Sequence, residues 1–128
     1  MLKLFSLTLC VICVSGFSRY RKRIPNGNRV PDPCGGEGDI WSHVGHIENS
    51  RKGDINQFGK DFSDADHTWT TVLCELDSDG DGVTNGEELG DPRCEWEKRS
   101  KPAGPATGHP GICEPVSSDK CAGSSFVC

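Results

Sequence analysis

Apolar residues cluster at the start of the chain and thin out beyond it. A mostly apolar run, Leu4 to Val14, follows Lys3 and gives way to the small residues Ser15 and Gly16. Basic, apolar and small in that order is the layout of a secretory signal peptide, predicted over residues 1–15 with cleavage after Ser15. The run is shorter than the about 20 residues that a bilayer span needs. Residues 16–33 then read as a basic and Pro/Gly-rich arm. IPNGNRVPDPCGG (24–36), which runs from that arm into the segment after it, is turn-rich, because Pro fixes φ and Gly permits positive φ. In GDIWSHVGHIE, Ile40, Ser42, Val44 and His46 alternate with Trp41, His43 and Gly45, which predicts a short strand or an irregular extended piece. NSRKGD (49–54) reads as a turn, and INQFGKDF presents Phe58 and Phe62 to a core. The strongest helical period follows. Trp69, Val72, Leu73 and Leu76 stand at i, i+3, i+4 and i+7, one face of a helix that Asp64 or Asp66 would cap.

That helix runs into DSDGDGVTNGEE (77–88), where like charges crowd together. A cation between them is the simplest physical reason. The spacing D-x-[DN]-x-[DN]-G-x5-E suits calcium, which takes six to eight oxygens in flexible geometry. Asp77, Asp79 and Asp81 fill the first three ligand positions, and Gly82 supplies the sharp turn. Val83 offers its backbone carbonyl, Asn85 a side-chain oxygen directly or through water, and Glu88 a closing bidentate carboxylate. Thr84 stands where paired loops carry an apolar residue, and Gly90 and Pro92 stop the exiting helix within about one turn. Both features predict a lone structural site rather than a paired sensor.

Cysteine usage agrees with an oxidising destination. Cys10 and Cys13 leave with the signal, so Cys34, Cys74, Cys94, Cys113, Cys121 and Cys128 remain. An even number with no C-x-x-C spacing predicts three disulfides rather than zinc. A bridge between Cys74 and Cys94 would tie the two ends of the acidic loop, and Cys34 could reach a tail Cys. The tail, residues 97–128, has no apolar period and is expected to be irregular and disulfide-held.

Net charge is −5, so there is no electrostatic reason to bind nucleic acid or an anionic membrane. Arg21, Lys22 and Arg23 form the one basic cluster, either a dibasic processing site or a solvated arm. His43 and His46 would need His109 brought in to make a zinc or copper enzyme site, and surface or hydrogen-bonded roles are favoured for all three. No nucleophile triad or phosphate-cradling loop is visible, so catalysis is not expected.

IPNGNRVPDPC, WSHVGH, NQFGKDF, HTWTTVLCELDSDGDGVTNGEELGDPRCEW and GHPG together resemble the temptin family, secreted molluscan water-borne pheromone proteins. The similarity runs from about Ile24 to Gly111 and is most specific from Trp69 to Trp96. The chain departs from the family pattern with NQFG where NPFG is expected, and with additional tail Cys. The resemblance implies a bridge matching Cys74–Cys94 and another from Cys34 to a tail Cys, and a local Cys113–Cys121 loop is compatible with it. It also implies mate-attraction signalling through peptide or protein pheromone partners or a receptor. A calcium-binding matrix protein of calcified shell is the alternative.

The sequence therefore predicts a secreted, small disulfide-rich α+β protein, largely irregular, with one helix leading into an EF-hand-like calcium loop. Residues 34–128 form the stapled domain. Its cofactor is calcium, and its function is binding rather than chemistry.

Overall fold

Asn56 shows how this chain builds order without sheets. Its side-chain Oδ1 accepts from Gly59 N–H at 2.8 Å and so caps helix α1, Gln57–Asp64. Its Nδ2 donates to the carbonyls of Val44 and His46, fastening the preceding loop to the helix start. The computed structural model describes residues 20–128. The predicted signal segment and its predicted cleavage point lie outside the described residues.

Helix α1 places Phe58 and Phe62 four residues apart on one face, and both are buried. Their rings stack with centroids 6.1 Å apart. They join Ile24, Val30, Val44, Leu73 and Leu89 in one apolar core, against which Tyr20, Ala65 and Trp69 pack. Ile24 and Val30 come from the stretch expected to be an arm. The correction has a simple cause: Asn26 Nδ2 donates to Leu89 O and Gly104 O at 2.8 and 2.9 Å, which draws the turn-rich segment onto the domain.

The predicted long helix is short. Helix α2 covers only Thr71–Glu75 and is capped by Thr70, whose Oγ1 accepts from Leu73 N–H at 3.1 Å, not by Asp64 or Asp66. Asp66 and His67 take positive φ and turn the chain after α1. Trp69 thus precedes the helix, and Leu76 is extended as it enters the loop. The predicted apolar face is not a buried face. Leu73 is 1 % exposed, but Val72 is 69 % and Leu76 is 40 % exposed. One and a half turns are too few for an i to i+7 stripe to stay on one side.

Helix α3, Asn85–Leu89, opens with a capping box: Thr84 Oγ1 accepts from Glu87 N–H, and Glu87 Oε2 accepts from Thr84 N–H. Gly90 closes it in the left-handed region, φ 82°, as the sequence predicted. Helices α2 and α3 pack on each other. The chain thus has more helix than the single one expected. The β content is smaller than expected: among the described residues, the pairings outside named strands are the isolated bridges Pro31–Ile40 and His46–Ile55. Residues 49–54 form the predicted turn.

Three disulfides staple the irregular remainder: Cys34–Cys128, Cys74–Cys94 and Cys113–Cys121. The first clasps the domain near its two ends, the second brackets the acidic loop, and the third closes a local ring in the tail. No helix among the described residues is long and apolar enough to cross a membrane.

Candidate metal centre

The acidic loop wraps its backbone around its own carboxylates. Asp77 Oδ1 accepts from Gly80 and Asp81 N–H at 3.0 and 3.2 Å, and its Oδ2 accepts from Gly82 N–H at 2.8 Å. Asp79 Oδ1 accepts from Asp81 N–H, and Asp81 Oδ1 from Val83 N–H. Gly82 sits at φ 90°, a conformation that side chains with a Cβ rarely adopt. The turn brings one carboxylate oxygen from each of Asp77, Asp79 and Asp81 within 4.8 Å of one another. Among the described residues, this is the one group of three or more His, Cys, Asp or Glu gathered so closely.

Glu88 reaches the same place from α3. It is 3 % exposed, as is Asp81. Its Oε2 is buried without a hydrogen-bond partner, and so is Asp79 Oδ2. Two buried carboxylate oxygens lacking donors are costly unless something positive meets them. Burial first, then the charge of Asp81, pushes Asp79 up to about 9. Burial first, then Asp79 and Asp81, pushes Glu88 up to about 11. A divalent cation favours the charged forms and reverses both shifts.

Asn85 is fully buried and acts within the scaffold. Its Oδ1 accepts from Ser78 N–H, while Nδ2 donates to Leu73 O at 2.9 Å and Ser78 Oγ at 2.8 Å. Its own N–H donates to Leu76 O, so one residue fixes both ends of the loop. Ser78 Oγ in turn donates to Asp61 Oδ2 at 2.7 Å, tying the loop to α1.

Glu114 carries no motif signal, yet the tail brings it to the loop. Thr107 and Gly108 N–H donate to Glu88 O, which lays the tail over α3. Glu114 Oε1 accepts from His109 N–H. Asp81, Val83, Glu88 and Glu114 all line one open cavity of ≈ 690 Å³, with Lys120 also on its wall. Burial, with Asp81's charge adding, raises Glu114 above the usual carboxylate range, although the bond from His109 N–H opposes it.

Asp91 was equally silent in the sequence, because Asp-Pro after Gly90 reads only as a turn. It is buried, and its Oδ2 accepts from Trp69 Nε1 and Trp96 N–H while Oδ1 accepts from Glu95 N–H. The bonds to Glu95 and Trp96 hold the backbone just after Cys94, so this carboxylate anchors the Cys74–Cys94 bracket, and Cys74 Sγ lies 3.4 Å from the Asp91 carbonyl oxygen.

The histidines serve elsewhere. His46 Nδ1 bonds Gly53 O at 2.8 Å, and a carbonyl can only accept, so that nitrogen carries its proton. His43 Nδ1 pairs with Asn49 Oδ1, which also accepts from Ser42 N–H. His109 is fully buried against Trp41 and accepts from Gly111 N–H at Nδ1. Burial holds it down to about 3.

A thin core closed by three disulfides, with a partly buried carboxylate cluster bracketed by one of them, defines a small cysteine-stapled protein. Within that class the chain belongs to the temptin family. The family model described as Temptin C-terminal matches residues 14–112. The chain is 46 % identical over 107 residues to Temptin of Aplysia californica, covering 83 % of this chain and 84 % of that one. No solved structure matches it.

Proposed function

We propose that this is a secreted temptin-like pheromone or pheromone-supporting protein whose binding surface is held in shape by one calcium ion. The ion would be held by carboxylate oxygens of Asp77, Asp79, Asp81 and Glu88 and by the carbonyl of Val83. Asn85 would enter that shell through water, since its amide is committed to Ser78 and Leu73. The observation that carries the cation is the pair of buried, partnerless oxygens, Asp79 Oδ2 and Glu88 Oε2, inside a cluster of like charge. Calcium suits it better than zinc or copper, because the donors are all hard oxygens. Affinity on the order of 0.1–1 mM suffices outside a cell. When bound, the ion supplies charge neutralisation and rigidity, not catalysis.

The signalling role rests on family membership and on the extent of the match to Temptin. Three disulfides fit an oxidising, extracellular destination. The partners would be peptide or protein pheromones or a receptor. Two experiments test the reading. Calorimetry of the oxidised, chelator-treated protein should give saturable heat with calcium, and chelation should lower Tm; neither effect at millimolar calcium would overturn the ion. Purified protein released into water should attract conspecifics alone or with partner peptides. Inactivity in that assay, with protein recovered only from demineralised shell, would favour the matrix role instead.

A further inference from the structure

Two basic segments far apart in the chain meet on one face. A groove of ≈ 670 Å³ lies between residues 21–29 and 96–102. Arg21, Lys22 and Arg29 line it from the first segment, and Lys98, Arg99 and Lys101 from the second. Arg21 is half-buried and the other five are exposed. No Asp or Glu is among the described residues that line it, although acids outnumber bases 19 to 14 in the whole chain. None of the six side chains forms an ion pair or a hydrogen bond with another described residue. Like charges repel, so the fold has to hold these walls in place. Asn26 Nδ2 donates to Leu89 O and Gly104 O, which clamps the first segment. A Cβ on Gly27 would overlap Arg21 O, so glycine lets that segment fold back on itself. Trp96 Nε1 donates to Ser100 O and Glu97 N–H donates to Ser100 Oγ, which closes the second segment into a loop. Arg23 takes no part, since its guanidinium donates to His67 O.

We propose that this groove binds a sulfated glycan. Such a chain carries fixed negative charge at short, repeated intervals, which suits cations spread over two walls better than a single anion does. Arginine forks and lysine ammoniums both meet oxyanions through charge-assisted hydrogen bonds. An acidic peptide fits less well. Peptide recognition uses a strand edge, an apolar groove or pockets for anchoring side chains. Here Ile24 is buried, and Trp96 is the one aromatic ring among the described lining residues. A single-stranded nucleic acid would want several rings on which to stack its bases. The acidic remainder of the chain confines the contact to the groove, so a short glycan segment is the unit bound.

The test is calorimetry of the full mature protein at physiological salt, with and without calcium. The probes are a heparin octasaccharide, the same octasaccharide stripped of its sulfates, an octa-glutamate peptide and an eight-nucleotide oligo-dT. The heparin fragment should saturate with a Kd of about 10–100 µM, and the other three should bind at least about tenfold more weakly. Raising the salt to roughly 0.5 M should weaken it by about tenfold or more, as for any contact that releases counterions. Lys98→Gln/Lys101→Gln should weaken the heparin fragment by about tenfold, and Arg29→Gln on the opposite wall by about threefold. All three positions are exposed, so the domain should fold as before. Lys52→Gln/Lys60→Gln removes the same charge from exposed positions outside the groove and should change the affinity less than about twofold. Equal binding of the desulfated sugar, tighter binding of octa-glutamate or oligo-dT, equal effects of the two lysine pairs, or no saturation at millimolar heparin fragment would each overturn the proposal. Failure here leaves the calcium reading untouched, since the groove and the acidic loop share no residue.

Discussion

Glu88 and Glu114 face each other across Gly108. A Cβ placed on Gly108 would lie 3.4 Å from Glu88 Cγ and equally far from Glu114 Oε1. One carboxylate comes from a capped helix, the other from the disulfide-held tail beside Cys113. Each needs the other's segment, because Glu88 O accepts the tail's N–H groups at Thr107 and Gly108.

Their proximity predicts unequal effects on calcium. Glu88→Gln removes a buried carboxylate beside Asp79 and Asp81 and should weaken calcium binding by about a hundredfold, as expected for losing a charged ligand from a small site. Glu114→Gln acts through its field at the rim and should weaken it by about tenfold or less. In chelator at neutral pH, Glu88→Gln should be more stable than the parent, because the parent must take up a proton to bury this side chain and glutamine need not. Calorimetric titration and thermal melts read both effects.

The pH dependence should change sign with calcium. Asp79 and Glu88 rise from ordinary values of 3.8 and 4.5 to about 9 and 11. Above those ordinary values the folded protein binds more protons than the unfolded chain, so chelated protein should lose stability as pH rises. His109 falls from 6.5 to about 3, which opposes that trend below pH 6.5. Two carboxylates outweigh one histidine down to 4.5, so chelated protein should melt highest at about pH 4, lose stability gently up to 6.5 and more steeply above it. Saturating calcium keeps the carboxylates charged and should abolish the alkaline loss. His109→Gln should flatten the acid limb. Melts across pH 3 to 9, with and without calcium, decide it.

The disulfides should differ in what they hold. Cys74→Ser/Cys94→Ser opens a loop with a sequence separation of 20 and should cost about 3 kcal/mol. Cys34→Ser/Cys128→Ser opens one with a separation of 94 and should cost about 4–5 kcal/mol by the same chain-entropy argument. Only the first pair brackets the acidic loop, so only its loss should also weaken calcium binding markedly. Urea unfolding and calcium titration of the two double variants separate these outcomes.

Asp91→Ala strips the acceptor from Trp69 Nε1 and from two backbone N–H groups. The loss should be about 2–4 kcal/mol, with a change in tryptophan emission. Gly86→Ala tests the same contact from the other side. Its Cβ would stand 2.3 Å from Cys74 Sγ and 2.6 Å from Asp91 O, too close without moving α3 off the bracket. It should destabilise by about 1–3 kcal/mol, or more where the backbone cannot shift.

Local chemistry was legible along the chain. The turn at 49–54, the stop at Gly90 and the aspartates of the loop each depend on residues a few positions apart, whose interactions do not wait for the rest of the fold. So the gathering of Asp77, Asp79 and Asp81 could be read from spacing. The length of α2 could not. Its apolar period invited a long helix, but a Thr cap at 70 and the demands of the loop after Leu76 cut it to one and a half turns.

Sequence by itself determined the number of staples, the thin core and the crowding of negative charge, because these follow from composition and near-neighbour spacing. Tertiary structure alone decided that Ile24 and Val30 enter the core, that Asp91 receives two tryptophans' segments, and that Glu114 meets Glu88. Those contacts join segments far apart in the chain, and most of them run to backbone groups that every residue carries and that leave no mark in the order of side chains.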